Sequence, residues 1–288
     1  MFGYCADPKS IEGLMWLSCY LTTATHFSFY FSFLVVILLI ALAAPLAMAF
    51  GFAGSIASRS SIKFFKYLGK GYLSIIRGIP DIVFFLFIPL ALDQAFEFLR
   101  HKILCPNVTE AIRQGNDFVV CKAAKLPLNT ASEWVHDIYG FSLALLAFGF
   151  VFGAFTGNVL SGAMAAVPKS QLETGAAFGF SSKQVFKRIL IPQMWIYALP
   201  GLSNLWMILI KATPLLFLLG VEDIVYWARE LGGIKTGVYD YPHPDWRAWY
   251  FGVLMIFYLL LTYVSQLVLD RLSSKLSIGQ DTMAGKAA

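Results

Sequence analysis

Long apolar runs separated by shorter polar stretches set the plan of this chain. No Asp, Glu, Lys or Arg occurs from Gly13 to Ser58, which is too long for one simple crossing, since a membrane helix needs about 20 apolar residues. The pattern predicts an interfacial helix from Ile11 to about Leu21, with Trp16 and Tyr20 at headgroup level. A first span follows over about 27–50, and His26 at its start reads as a histidine at the membrane interface. Further apolar runs predict spans over about 71–92, 141–163, 192–220 and 248–269. Pro80 in the second removes a backbone donor and predicts a bend, with freed carbonyls turned to protein or water. The first apolar run is too long for a cleaved leader and reads as a true span.

The polar stretches alternate in charge. From Ala53 to Arg77 there are five basic residues (Arg59, Lys63, Lys66, Lys70, Arg77) and no acid. Residues 93–137 carry five bases and six acids, a balanced polar loop too long for a simple connector. The 164–191 stretch is basic again, with Lys169, Lys183, Lys187 and Arg188 against Glu173, whereas 221–247 holds five acids and three bases. Because basic loops collect on the cytoplasmic side, five spans place the N-terminus outside and the C-terminus inside. The expected organisation is an interfacial segment 1–26, one membrane domain 27–275 and a cytoplasmic tail 276–288.

Composition agrees with an all-α integral membrane protein. The 288 residues are 58% hydrophobic and 14% charged, against about 25% charged in soluble domains, and the mean hydropathy is +0.67. The net charge of +5 follows from the basic inner loops and does not point to nucleic acid. The four cysteines form no CxxC or Cys/His zinc spacing, so no metal site is expected. Cys105 and Cys121 share one polar loop, either as a disulfide or as two free thiols. Asn107-Val108-Thr109 is formally a glycosylation triplet, common by chance.

No catalytic constellation is present: no HExxH, no Gly-x-Ser-x-Gly, and no P-loop for ATP. Glu222-Asp223 flanks a span and reads as a solvated end. Charges inside spans are costly and usually face the bundle interior. Asp81, four residues from Arg77, and Lys211 therefore mark either a polar translocation path or structural capping. Gly149, Gly153, Gly157 and Ser161 recur every four residues, a stripe for close helix packing or for lining a path. In the segment Pro168 to Pro192, Pro168 opens one helix, Gly179 turns the chain and Ser181-Ser182 cap a second. Such an element suits docking to a soluble partner.

That segment resembles the Glu-Ala-Ala loop of ABC importer permeases. Glu173, two small residues, Gly179, Ile189 and Ile191-Pro192 fit its spacing without a gap, with Thr174 and Gly175 in place of the alanines and Ile191 in place of a Leu. RGIPD (77–81), AVPKSQLE (166–173), IPQMWIYALPGLSNLWM (191–207) and LIKATPL (209–215) resemble the polar amino-acid branch, above all permeases for basic amino acids and opines. The resemblance implies a type I importer permease with five transmembrane helices and a cytoplasmic coupling helix in the bacterial inner membrane. It implies two ATPase subunits, which hold the ATP and Mg that this chain lacks, a second permease subunit, and a periplasmic substrate-binding protein.

On that resemblance Glu173, Thr174, Gly175, Ala176, Ala177, Gly179 and Phe180 would contact the ATPase, and Asp81, Asn158, Lys211 and Thr213 are candidates for the substrate path. Asn158 stands where many relatives carry a Glu, which suggests a paralogous partner that supplies the acid. The rival readings are a stand-alone secondary transporter or channel, a membrane enzyme, and a solute-sensing scaffold.

Overall fold

The computed structural model describes residues 5, 7, 8, 10–107, 120–127 and 130–276. Val108 and Thr109 of the glycosylation triplet, the middle of the 93–137 segment and the tail after Leu276 lie outside the described residues. The described chain is helical: α1 (Gly13–Leu21), α2 (Ala24–Ser58), α3 (Lys63–Gly78), α4 (Asp81–Leu104), α5 (Glu133–Ala166), α6 (Lys169–Ala177), α7 (Ser182–Val185), α8 (Ile191–Ala212), α9 (Ile224–Gly232) and α10 (Arg247–Leu276). Among the described residues, five helical runs are long and apolar enough to cross a membrane: Ala24–Ser58, Asp81–Leu104, Glu133–Ala166, Ser182–Leu219 and Arg247–Lys275.

The second span differs from its expected form. In place of one bent helix over 71–92, α3 ends at Gly78 and α4 starts afresh at Asp81. Ile79 is extended, with φ −122° and ψ 141°, because the ring of Pro80 crowds the helical conformation of the residue before it. The expected 93–137 loop is shortened at both ends. Residues up to Leu104 continue α4, and Glu133 already opens α5.

The chain divides into two compact units, one of residues 1–41, 85–145 and 213–259, the other of residues 42–84, 146–212 and 260–288. In the second unit, glycines let α2, α3 and α5 approach closely. A Cβ on Gly153 would sit 2.5 Å from Phe50 Cβ and 2.6 Å from Tyr72 Oη, and one on Gly157 would sit 2.9 Å from the Gly51 carbonyl oxygen. At the fourth position of the stripe, Ser161 Oγ lies 2.7 Å from Ser55 Oγ. Tyr72 Oη donates to the Phe150 carbonyl at 2.6 Å, and Arg59 Nη2 donates to the Ser161 carbonyl at 2.9 Å. The small-residue stripe is therefore used for packing, and the backbone it exposes is hydrogen-bonded.

The first unit is built around a polar chain that the sequence does not advertise. His26 and Tyr20, expected at the membrane interface, are only 1% and 5% exposed. His26 Nδ1 lies 2.8 Å from Thr23 Oγ1 and its Nε2 lies 2.8 Å from Tyr250 Oη. Tyr250 Oη donates to Tyr20 Oη at 3.0 Å, Tyr20 Oη lies 3.1 Å from His243 Nε2, and His243 Nδ1 lies 2.7 Å from the Pro244 carbonyl. One set of proton positions satisfies all of these contacts, running from the Thr23 hydroxyl to the Pro244 carbonyl. Trp16 stacks on Tyr20 and meets Tyr241 and Trp246 edge-on. A disulfide between Cys5 and Cys19 ties the preceding strand of chain to α1.

A second disulfide joins Cys105 to Cys121. Residues 120–127 lie against the end of α4. Cys121 N donates to His101 Nδ1 at 2.9 Å, Arg100 Nη2 to the Ala123 carbonyl at 3.1 Å, and Leu126 N to the buried Glu97 Oε1 at 2.9 Å. His101, Cys105 and Cys121 bring three ligand-type atoms within 4.8 Å of one another, but the disulfide uses both thiols and the backbone N–H uses the imidazole.

Asp223 corrects the reading of Glu222-Asp223 as a solvated end. Asp223 is fully buried and caps α9, its Oδ1 accepting from Val225 N at 3.0 Å and Tyr226 N at 2.9 Å. Its Oδ2 is buried without a hydrogen-bond partner. Burial pushes the carboxyl up to about 7, against the lowering effect of the backbone donors.

Two predictions follow from this packing. Gly153→Ala and Gly157→Ala should each cost about 1–3 kcal/mol through overpacking, read as a lower Tm of the purified chain in detergent. Gly162→Ala, whose Cβ would meet nothing within 4 Å, should leave Tm unchanged or raise it. For Asp223 the folded-state pKa lies above the unfolded one of about 3.9. Its stabilising contribution is whole below that pH and is lost as pH rises through about 7. Asp223→Asn keeps a capping oxygen and should gain stability relative to the parent chain between pH 5 and pH 8, measured by urea unfolding in detergent.

Candidate functional site

The segment from Pro168 to Pro192 folds as a small, heavily capped unit. Pro168 stands at the N-cap of α6, where a missing N–H costs nothing. At the other end Gly179 has φ +82°, the left-handed region that favours glycine. Gly179 N donates to the Ala176 carbonyl at 3.0 Å and Phe180 N to the Gly175 carbonyl at 3.1 Å. This paired closure satisfies the last carbonyls of α6. Two residues on, Ser181 opens α7 with a capping box: its hydroxyl accepts from Gln184 N, and Gln184 Oε1 accepts from Ser181 N at 2.8 Å.

A widened, π-helical turn over Phe186–Leu190 then leads into α8, with Ile191 N donating to the Phe186 carbonyl. Pro192 cannot donate, and in a regular helix its ring would press on the carbonyl of Arg188; a widened turn just before it relieves that contact. Leu172, Phe186 and Ile191 pack on a buried cluster of Leu160, Ala163, Met164, Val167, Leu190, Met194 and Ala198. Gly175 is buried and faces Ile189 Cδ1 and Val185 Cγ2, so that a Cβ there would collide with Ile189. Two of the positions singled out in the sequence, Gly175 and Ile189, are thus in contact with each other.

What remains exposed is a tip. Glu173, Thr174, Ala176, Ala177 and Gly179 are exposed. Phe178 is 81% exposed and Phe180 37%, with the Arg188 guanidinium 6.0 Å from the Phe180 ring centre. Thr174 turns its hydroxyl back onto the Ser170 carbonyl at 2.8 Å. Among the described residues no ring contact uses Phe178, which sequence reasoning had passed over because it lies between the signature positions. An acid and an aromatic, presented on a doubly capped turn, form a compact exposed knob.

The candidate path residues are in other settings. Asn158 is half-buried, and its Nδ2 donates to the Leu73 carbonyl at 3.0 Å and the Ala154 carbonyl at 2.9 Å, linking α5 to α3. A carboxylate at that position could not donate these bonds. Thr213 is buried, with Oγ1 2.8 Å from Tyr258 Oη. Lys211 is exposed near the end of α8, and half-buried Asp81 is the first residue of α4.

Comparison with known proteins gives one consistent result. Residues 51–278 match the family described as binding-protein-dependent transport system inner membrane component. The chain is 34% identical over 235 residues to the histidine/lysine/arginine/ornithine transport system permease protein HisQ of Escherichia coli, covering 81% of this chain and 86% of that one. It is 30% identical over 206 residues to the arginine ABC transporter permease protein ArtQ of the same organism, covering 72% and 76%. It is 28% identical over 220 residues to the octopine transport system permease protein OccQ of Rhizobium radiobacter, covering 76% and 78%. The crystal structure of an amino acid ABC transporter with histidines superposes with a TM-score of 0.59 over 92% of this chain and 99% of that one, at 16% identity.

The capping geometry is itself testable. Gly179→Ala places a Cβ in a left-handed conformation and should cost about 1–2 kcal/mol locally. Ser181→Ala should cost about 1 kcal/mol. Both should speed amide hydrogen exchange across residues 175–185 while leaving exchange in α5 unchanged.

Proposed function

The chain belongs to the binding-protein-dependent transport system inner membrane components, and from that premise we propose that it imports a basic amino acid or opine, driven by ATP hydrolysed on two partner subunits. The observation that carries the coupling role is the knob at Glu173 to Phe180, exposed at its tip and fixed at its base. A second permease subunit completes the membrane pathway, and a periplasmic substrate-binding protein delivers the solute. The substrates named for the relatives at 28–34% identity support the choice of a basic amino acid or opine.

In this reading ATP-driven closure of the ATPase subunits pulls on the knob. Its packing against Leu160, Met164 and Met194 passes the displacement to α5 and α8. Asn158 holds helices together, and an acid for a cationic substrate comes from a paralogous second permease, with Asp81, Lys211 and Thr213 beside the path. This chain binds no ATP, Mg or metal of its own.

Two independent arguments support the orientation. The knob lies in a basic stretch, which belongs on the cytoplasmic side. The disulfides Cys5–Cys19 and Cys105–Cys121 fall in segments that an odd number of spans separates from the knob, and disulfides persist on the oxidising side. The N-terminus is then outside and the C-terminus cytoplasmic.

The test is reconstitution of the whole transporter in vesicles. Glu173→Ala and Phe178→Ala remove exposed side chains, so the membrane subunit should fold and melt as the parent does. ATP-driven uptake should fall by about tenfold or more, as for the loss of an interface anchor. Full ATP-dependent uptake by both variants defeats the coupling role. Uptake by vesicles holding this chain without ATPase subunits would instead support a stand-alone secondary transporter.

A further inference from the structure

Helix α4 ends on a row of coordinating side chains. Glu97, His101 and Cys105 follow one another at intervals of four, so they share one face of the helix. The helical turn carries through Cys105, whose N–H donates to the His101 carbonyl at 2.9 Å. Cys121 reaches this face from residues 120–127, where Val120, Cys121 and Ala124 form a small buried cluster with Cys105 packed against it. Contacts other than the disulfide also hold that segment in place. Arg100 Nη2 donates to the Ala123 carbonyl, Leu126 N donates to Glu97 Oε1, and Lys125 Nζ lies 3.5 Å from the same carboxylate oxygen.

One ligand-type atom from each of His101, Cys105 and Cys121 falls within 4.8 Å of the other two. Atoms bound to zinc at about 2.0–2.3 Å in a tetrahedron lie about 3.3–3.8 Å apart, so small side-chain rotations close the set. The imidazole already has the tautomer a metal needs. His101 Nδ1 accepts from Cys121 N at 2.9 Å, which leaves the ring proton on Nε2 and turns the Nδ1 lone pair toward the cysteine. Two thiolates and an imidazole are soft and borderline ligands of the kind zinc takes. Cys121 is buried and the other two are half-buried, so bulk water has limited access.

We propose that His101, Cys105 and Cys121 bind one zinc ion when the Cys105–Cys121 disulfide is reduced, with water in the fourth position. The ion then replaces the disulfide as the clamp between α4 and residues 120–127. The metal-free reading of the chain applies to the disulfide form, in which both thiols are spent. A dithiol reductant gives up two electrons and two protons, becomes a disulfide itself and leaves Cys105 and Cys121 as thiols. Zinc binding forms two Zn–S bonds and releases both thiol protons. Two-electron oxidation by a disulfide oxidant re-forms the S–S bond and frees the ion with its charge unchanged. Neither the knob nor the substrate path enters this assignment.

The test uses the full chain in neutral detergent, reduced with dithiothreitol, desalted without air and titrated with zinc alone. One equivalent should bind with release of about two protons, and the oxidised chain should bind none at the same concentration. Zinc should slow alkylation of Cys105 and Cys121 by iodoacetamide about tenfold or more and leave Cys5 and Cys19 unprotected, read by mass spectrometry of the digested chain. That readout uses the unaltered sequence and stands whether or not a variant folds. His101→Ala keeps both thiols and should weaken zinc binding by about tenfold or more. Reduction should speed amide hydrogen exchange in residues 120–127, and zinc should restore the oxidised rate in the parent but not in His101→Ala. The proposal is overturned if the reduced parent binds no zinc, if the oxidised chain binds it equally, or if protection falls on Cys5 and Cys19 instead. It is likewise overturned if His101→Ala binds zinc as the parent does, or if zinc leaves exchange in residues 120–127 at the reduced rate.

Discussion

Backbone approaches backbone where α2, α3 and α5 meet, and the rest of the second unit depends on that contact. Lipid tails are as apolar as the side chains, so helices in a membrane gain little from hydrophobic burial alone. They must gain from close packing and from hydrogen bonds that lipid cannot offer. Gly51, Gly153 and Gly157 remove the side chains that would hold the helices apart. The bonds from Tyr72 to the Phe150 carbonyl and from Asn158 to the Leu73 carbonyl then become possible. These donors reach oxygens at the approach, and each helix ends in a defined position.

The knob between α6 and α8 inherits that definition. It is a short element that would not hold its shape in isolation. Its ends are fixed by the Gly179 closure and the Ser181–Gln184 box, and its base by Leu172, Phe186 and Ile191 on the α5–α8 cluster. Local capping and tertiary packing agree, which is what the proposed coupling role requires. A loosely held loop would absorb a pull within itself. One anchored at both ends passes it to the helices beneath. The buried contact between Gly175 and Ile189 also explains why small residues belong after Glu173.

Much of this was legible in the sequence because it depended on local rules. The charge-free runs gave the spans, and Pro168, Gly179, Ser181 and Ile191-Pro192 marked the ends of the short helices. What escaped was set by contacts distant in sequence. Nothing near His26 indicates that Tyr250 will meet it, and nothing near Tyr20 indicates His243, 223 residues away. Asp223 looked like a solvated acid because the Glu222-Asp223 pair flanks a span; that it caps α9 from a buried position depends on the packing around it. At Pro80 the rule used was the wrong one of two. Attention to the missing N–H predicted a bend, whereas the restriction on Ile79 broke the helix.

The same distinction bears on Asn158. In the sequence it registers only as the absence of an acid, and its side chain might equally have faced a path or a neighbouring helix. Both amide protons are committed to carbonyl oxygens, on Leu73 of α3 and on Ala154 of its own helix. A carboxylate placed there would set negative charge against two carbonyl dipoles with no proton to share, so Glu and Asn at this position demand different arrangements of α3 and α5. Asn158 therefore serves as a tie between helices that an acid could not supply. Two hydrogen bonds thus make Asn158 a strut between α3 and α5, and the proposal of a paralogous, acid-bearing partner starts from that strut.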